Sequence, residues 1–306
     1  MPEPVPIIEI KPGWRGRTEA LGSKSKFWFR KDDNPDDLWL YKVSRPDTGE
    51  HWAEKVASEI AGLLELPTHV VEFARYDGKI GCAVRSFLES NESLIHGNEV
   101  LAGVIPEYDK DKQRGQADHN FANIVQALEA RFSTSLNRKQ ASFRFVGYLM
   151  LDALVGNTDR HHENWGVLQH WVMVPNTEGQ MTISLHTSVA PTYDHASSLG
   201  REMLDERRQR ILSEPAGVCR YIKGGKGGIF LDDQARKGLS PLSLVELVAK
   251  TYPAFFKPWQ KRIAELPPDF ANPIIAPIPE SYMSAASKQF ALAFLGESRK
   301  LIASIP

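Results

Sequence analysis

The sequence predicts an α+β fold of two lobes, a small β-rich N-lobe followed by a larger, mainly helical C-lobe. Three observations carry this. Short aromatic and aliphatic runs of strand length surround a single helical stretch before residue 90, helical spacing dominates after residue 118, and a dense polar loop interrupts two apolar segments between residues 155 and 168. The expected division is residues 1–90 and 91–306.

The elements follow in order. Lys26-Phe-Trp-Phe-Arg30 and Leu38-Trp-Leu-Tyr-Lys-Val-Ser44 flank the polar turn Asp32-Asp-Asn-Pro-Asp-Asp37, which predicts a β-hairpin with a loose loop. From Glu50 to Leu66, Trp52, Val56, Ile60, Leu63 and Leu64 recur at helical spacing, with Glu54, Lys55, Ser58 and Glu59 mostly off that stripe, and Pro67 ends the helix. Two further strands meet at Asp77-Gly78, so the first lobe is expected as strand, strand, helix, strand, strand. Residues 91 to 118 are polar and weakly patterned, as in a connection. Helices are predicted over 119–130 and over 138–155, the second stopped by Gly156, then a hairpin over residues 171–186, and helical regions over 241–265 and 280–304.

Composition bounds the function. With 306 residues, 42% hydrophobic and 25% charged, the chain is ordinary globular protein, which removes overall disorder. Its 37 Lys and Arg against 38 Asp and Glu leave a net charge of −1, so there is no global cationic field for nucleic acid or anionic membranes, and phosphate recognition must be local. Cys82 and Cys219 belong to no metal-binding pattern and suit a reducing cytoplasm. No apolar run has signal-peptide or membrane-spanning length, so the chain reads as soluble, cytoplasmic and without a membrane partner.

The chemistry concentrates in Val155-Gly-Asn-Thr-Asp-Arg-His-His-Glu-Asn-Trp165. Asp159 and Asn164 are spaced as Asp-x-x-x-x-Asn, the pattern in which a kinase loop presents an Asp to the nucleophilic hydroxyl and an Asn to metal; a simple Asx-turn and helix cap is the alternative. Asp194, after the hairpin, suits a second metal ligand, since a phosphate-bridging magnesium takes oxygens from separate elements; a turn or cap carboxylate is its bland alternative. Lys42, on a strand among apolar neighbours, needs an anion, and Glu54 on the next helix is its expected partner, with Glu59 as second choice.

Gly22, Ser23, Lys24 and Ser25 form a turn able to cover phosphates, although it is neither a Walker A sequence nor GxGxxG. Phe87 and Leu88, at the end of the last N-lobe strand, complete the expected nucleotide-binding set. Gly224-Gly-Lys-Gly-Gly228 reads as a flexible linker or a mobile substrate loop. Adjacent His161 and His162 cannot face one ion as an i, i+4 pair, and structural support is assigned to His161. Phe27 and Phe29 should share one sheet face with Trp39 as core and Trp28 the other, rather than form a base-stacking platform, so direct nucleic-acid binding is not expected.

Together, Asn157-Thr-Asp-Arg-His-His-Glu-Asn164, Ala190-Pro-Thr-Tyr-Asp194, Lys42 and the helix from Glu54 to Leu66 resemble the HipA family of bacterial serine/threonine kinases, over most of residues 20 to 305. The resemblance implies a bilobal protein-kinase-like fold that uses ATP and Mg2+ to transfer the γ-phosphoryl group to Ser or Thr of a protein substrate. Asp159 would be the catalytic base, Asn164 and Asp194 the magnesium ligands, Lys42 the phosphate-binding lysine and Glu54 its partner. The chain resembles a compact form, with the family's serine-bearing phosphate loop matched only loosely by Ser23 and Ser25. No helix-turn-helix signature is present, so any DNA binding would run through an antitoxin-like protein partner. Two other readings fit the motifs less fully: a lipid or small-molecule kinase of the phosphoinositide-kinase-like type, and a catalytically silent kinase-like binding module. The joint presence of Lys42, Asp159, Asn164 and Asp194 argues against the last.

Overall fold

The computed structural model describes residues 5–18, 25–112, 114–175 and 179–306. It opens with two short strands absent from the sequence-based expectation, β1 (Ile7–Glu9) and β2 (Arg15–Thr18). The expected hairpin is β3 (Lys26–Arg30) and β4 (Leu38–Val43), followed by α1 (Glu50–Leu63) and by β5 (Val71–Tyr76) and β6 (Lys79–Arg85). Asp77 and Gly78 both have positive φ, 51° and 71°, as the tight two-residue turn between β5 and β6 demands. These strands form one sheet in the order β1-β5-β6-β4-β3-β2, with β1 parallel to β5. Three residues of β1 carry no alternation of their own; pairing of Ile7 with Phe73 and of Glu9 with Arg75 makes them a strand.

The stretch expected to be a plain connection instead contains β7 (Ser93–His96) and α2 (Gly97–Ala102). Then come α3 (Phe121–Ala130), α4 (Ser135–Val155), the ribbon of β8 (Gly166–Pro175) and β9 (Met181–Val189), α5 (Asp205–Ser213) and α6 (Gly217–Lys223). The helices α7 (Pro241–Thr251), α8 (Pro253–Glu265), α9 (Asn272–Ile275) and α10 (Ala285–Ala303) complete the chain. The second sheet is β7-β8-β9. Among the described residues no helix is long and apolar enough to cross a membrane.

Period-two alternation in the hairpin sorts its side chains. Phe27 lies opposite Tyr41 and Phe29 opposite Trp39, and all four are buried with Ile8, Ile10, Ala74 and Ala83 on one face. Lys26, Trp28, Leu40 and Lys42 therefore emerge on the other face, toward the C-lobe. The main core is continuous across both halves: α1 packs on β5 and β6 and also meets α4, the central helix, which is buried from Phe145 to Val155. Helix α1 stops at Leu63 rather than running to Pro67, because Glu65 turns into the left-handed region (φ 54°).

Candidate active site

Lys42 sits where the two lobes meet. Its Nζ donates to Asp194 Oδ1 at 3.0 Å and lies 3.7 Å from Glu54 Oε2. Glu54, off the apolar stripe in sequence and expected as the partner of Lys42, is completely buried. A charged carboxylate tolerates this because it is surrounded: His69 Nε2 lies 3.0 Å from Oε1, and the His195 backbone N–H donates to the same oxygen at 3.1 Å. Burial opposes the charge on Lys42, yet the carboxylates of Asp194 and Glu54 outweigh it and raise its pKa. Burial would likewise raise that of Glu54, and Lys42 and His69 overcome it and hold the carboxyl well below the usual range. Both groups are thus charged at neutral pH. Glu59, the second choice, pairs with Lys55 at 2.8 Å on the outer side of the helix and does not reach the site.

The polar loop is built by the end of α4. Gly156 caps the helix at φ 69°, a conformation a side chain would strain and a spot where a Cβ would strike Phe294. One turn earlier, the buried carboxylate of Asp152 accepts from Arg160 Nε and Nη2, each at 2.8 Å, and from Asn157 Nδ2 at 2.9 Å. The same guanidinium also donates to the Asn164 carbonyl, to Thr192 Oγ1 at 3.1 Å and to the Tyr193 carbonyl at 3.3 Å. Arg160 thereby locks the loop bearing Asp159 and Asn164 to the segment bearing Asp194. Neither Asp152 nor Arg160 was singled out from the sequence, although a lone Asp in the apolar run Leu149-Met-Leu-Asp-Ala-Leu-Val155 was the available signal. Arg160→Met is expected to cost about 3 kcal/mol of stability, since it strands a buried carboxylate. Urea unfolding checks this, and a loss below about 1 kcal/mol, the worth of an exposed pair, contradicts it.

Asn164 is buried, and its Nδ2 donates to the Asp159 carbonyl at 2.8 Å. Asp159 itself is exposed, its N–H donating to Asn157 Oδ1 at 3.1 Å, so the Asx-turn exists beside the site rather than instead of it. Asp194 adopts φ 58°, a left-handed backbone that a non-glycine residue keeps only where its surroundings enforce it, and such residues cluster at functional sites.

A cleft of about 470 Å³ joins these groups. One wall is apolar, formed by Trp28, Leu40, Val84, Phe87 and Leu88; the other end holds Lys42, Asn164 and Asp194. Phe87 stacks obliquely near Tyr193, with ring centroids 5.8 Å apart. A flat heterocycle suits the first end and phosphates the second. Trp28, assigned by sequence only to the non-core face, is a wall of this cleft. Asn164 and Asp194 supply oxygen donors, the ligand type that Mg2+ prefers, and two protein ligands are the usual number where phosphate oxygens complete the shell. Among the described residues no group of three or more His, Cys, Asp or Glu gathers as a metal site.

Gly22, Ser23 and Lys24 lie outside the described residues. Ser25 is exposed, its carbonyl accepting from the Val43 N–H at 3.2 Å, and among the described residues Lys26 and Trp28, not Ser25, line the cleft.

Asp159 faces a separate cavity of about 180 Å³, shared with His161, Gly227 and Gly228. The glycine tract is therefore not a plain linker. His119 Nδ1 donates to the Gly228 carbonyl at 2.7 Å, and the Gly227 N–H donates to the Leu239 carbonyl at 2.7 Å. His119 in turn accepts at Nε2 from Trp165 Nε1 (3.0 Å), and burial pushes its pKa down to about 3, so it stays neutral. The histidine assignment also reverses. His162 is the buried structural one, 2.8 Å from the Tyr108 hydroxyl, whereas His161 is half-exposed and borders both cavities.

No family model matches the chain. A serine/threonine-protein kinase, CtkA of Helicobacter pylori (strain J99), is 23% identical over 239 residues, 76% of this chain and 66% of that protein, so the match spans just under two thirds of the relative's length. The crystal structure of a Helicobacter pylori proinflammatory kinase CtkA superposes with a TM-score of 0.78 at 20% identity, covering 98% of each chain. HipA of Shewanella oneidensis MR-1, solved with HipB and operator DNA, superposes with a TM-score of 0.57 at 12% identity, over 94% of this chain and 66% of that one. The chain is a homologue of the Helicobacter kinase and has the HipA-like kinase fold.

Proposed function

We propose that the chain is a HipA-like kinase that uses ATP and Mg2+ to phosphorylate Ser or Thr of a protein substrate. The observation that carries it is the meeting of Lys42 with Asp194, at 3.0 Å, in one cleft with Asn164, although the two partners are 152 residues apart in sequence. Bound magnesium would neutralise the phosphates and orient the transferred group. Lys42, held by Glu54, binds phosphate oxygens, Asn164 and Asp194 hold the metal, and Trp28, Phe87 and Leu88 enclose the base. Asp159 takes the proton of the acceptor hydroxyl from its own cavity. In this reading the chain divides into lobes near residue 90, with the nucleotide between them. The setting is the cytoplasm, and an antitoxin-like protein is the proposed partner, by analogy with the HipA solved beside HipB.

Calorimetric titration of ATP with and without Mg2+ tests the site, and mass spectrometry of host proteins after incubation with labelled ATP tests the acceptor. Metal-dependent binding and label on Ser or Thr are expected. ATP binding indifferent to metal, or label appearing on inositol lipid in place of protein, overturns the reading.

A further inference from the structure

We propose that the outer face of the β8–β9 ribbon is a self-association surface through which two copies of the chain pair about a twofold axis. Residues 166–189 contain a single charged residue, Glu178, in a chain that is 25% charged. Beyond His170 the ribbon leaves the core, and its register sets Trp171 against Leu185, Met173 against Ile183 and Pro175 against Met181. Directly opposed residues share a face, so these six form one apolar surface, while Val172 and Val174 fall on the other with Thr182, Ser184 and His186. The surface is uncovered: Trp171 is 67% exposed, Met173 61% and Ile183 69%. Of the eleven exposed large hydrophobic side chains among the described residues, five lie here. An isolated exposed leucine needs no explanation, but a contiguous patch of large, mostly exposed side chains does.

The chemistry of the face selects the occupant. With no Lys or Arg in residues 166–189, the ribbon lacks the cations that draw a peripheral protein to anionic lipid. A face without charge meets its own copy with no like-charge repulsion, and an isologous contact requires only that the surface complement itself. The five side chains present roughly 500 Å² at these exposures. A symmetric pair would bury about 1,000 Å², the lower limit for a specific interface, which makes the expected dimer a weak one. Strand β8 starts two residues after Asn164 and β9 ends five before Asp194, so the pair would join the two active-site frameworks through one ribbon sandwich.

Sedimentation equilibrium from low to several hundred micromolar protein reads the association. Wild type is expected to approach twice the monomer mass at the upper end. A Trp171→Thr/Ile183→Thr variant, which keeps strand propensity, should bind itself at least about tenfold more weakly, with thermal midpoint unchanged. Met173→Lys should do the same by placing charge on the face, and serves if the double variant fails to fold. Ser184→Lys, on the opposite face, should leave the dimer intact. Wild type that stays monomeric at every concentration overturns the proposal, as does a dimer undiminished in both face variants. A monomer that floats with zwitterionic phosphatidylcholine vesicles would assign the face to lipid instead.

Discussion

Asp159→Asn is expected to slow phosphoryl transfer by about 10²- to 10⁴-fold, the usual worth of a positioned general base, while ATP affinity stays within a few-fold of wild type. The split follows from the geometry. Asp159 borders the small cavity with Gly227 and Gly228, whereas the cleft proposed for ATP is lined by Lys42, Asn164 and Asp194. The Asp159 backbone carbonyl, which accepts from Asn164 Nδ2 beside that cleft, survives the substitution. Exposure of the side chain makes a folding defect an unsuitable explanation for lost activity. Single-turnover transfer beside calorimetric binding checks the prediction; an ATP affinity that falls in step with the rate would remove Asp159 from the role of base.

Asp194→Asn should fail differently, losing metal-dependent ATP binding by tenfold or more and transfer by about 10³-fold, because one group serves both. The carboxylate is proposed as a magnesium ligand, and it is also one of the two charges that keep Lys42 protonated and in place. With the amide in its place, Lys42 keeps Glu54, at 3.7 Å, as its carboxylate partner in the site, and the phosphate end of the cleft loses charge where charge is needed. The fold itself should hold, since Arg160 reaches this segment through the Thr192 hydroxyl and the Tyr193 carbonyl rather than through Asp194. Calorimetry with and without Mg2+ separates the cases: metal dependence equal to that of wild type would exclude Asp194 as a ligand, and behaviour identical to Asp159→Asn would undo the division of roles.

Much of the frame was legible because its signals are local. The alternation of Phe27, Phe29, Trp39 and Tyr41 sets their shared face within a few residues, Asp77-Gly78 encodes a turn that only positive φ can close, and Gly156 ends α4 by the same logic. The Asp159 to Asn164 spacing and the presence of Asp194 downstream drew attention to the loop and the segment, and Asn164, Asp194, Phe87 and Leu88 all line the one cleft. The strands β1 and β7 carried no readable pattern, since three or four residues become a strand only when a distant partner supplies the hydrogen bonds.

The sequence by itself determined which chemical groups are present and which stand on helix, strand or loop, because propensity, capping and alternation act over one or two turns of chain. Only the tertiary structure decided what those groups touch. Glu54 looks like a surface residue by helical spacing and is buried because His69 and the His195 amide come to it from other segments. Arg160 looks like one more charge in a polar loop and proves to be the tie between Asp152, Asn164 and Tyr193. The glycine tract at 224–228 looks like a linker, yet its Gly227 and Gly228 line the cavity beside Asp159, and the ribbon's apolar side is visible as a face only once register pairs Trp171 with Leu185. A buried charge is stable only where opposite charges and donors surround it, and those partners lie far along the chain, beyond the reach of any local pattern.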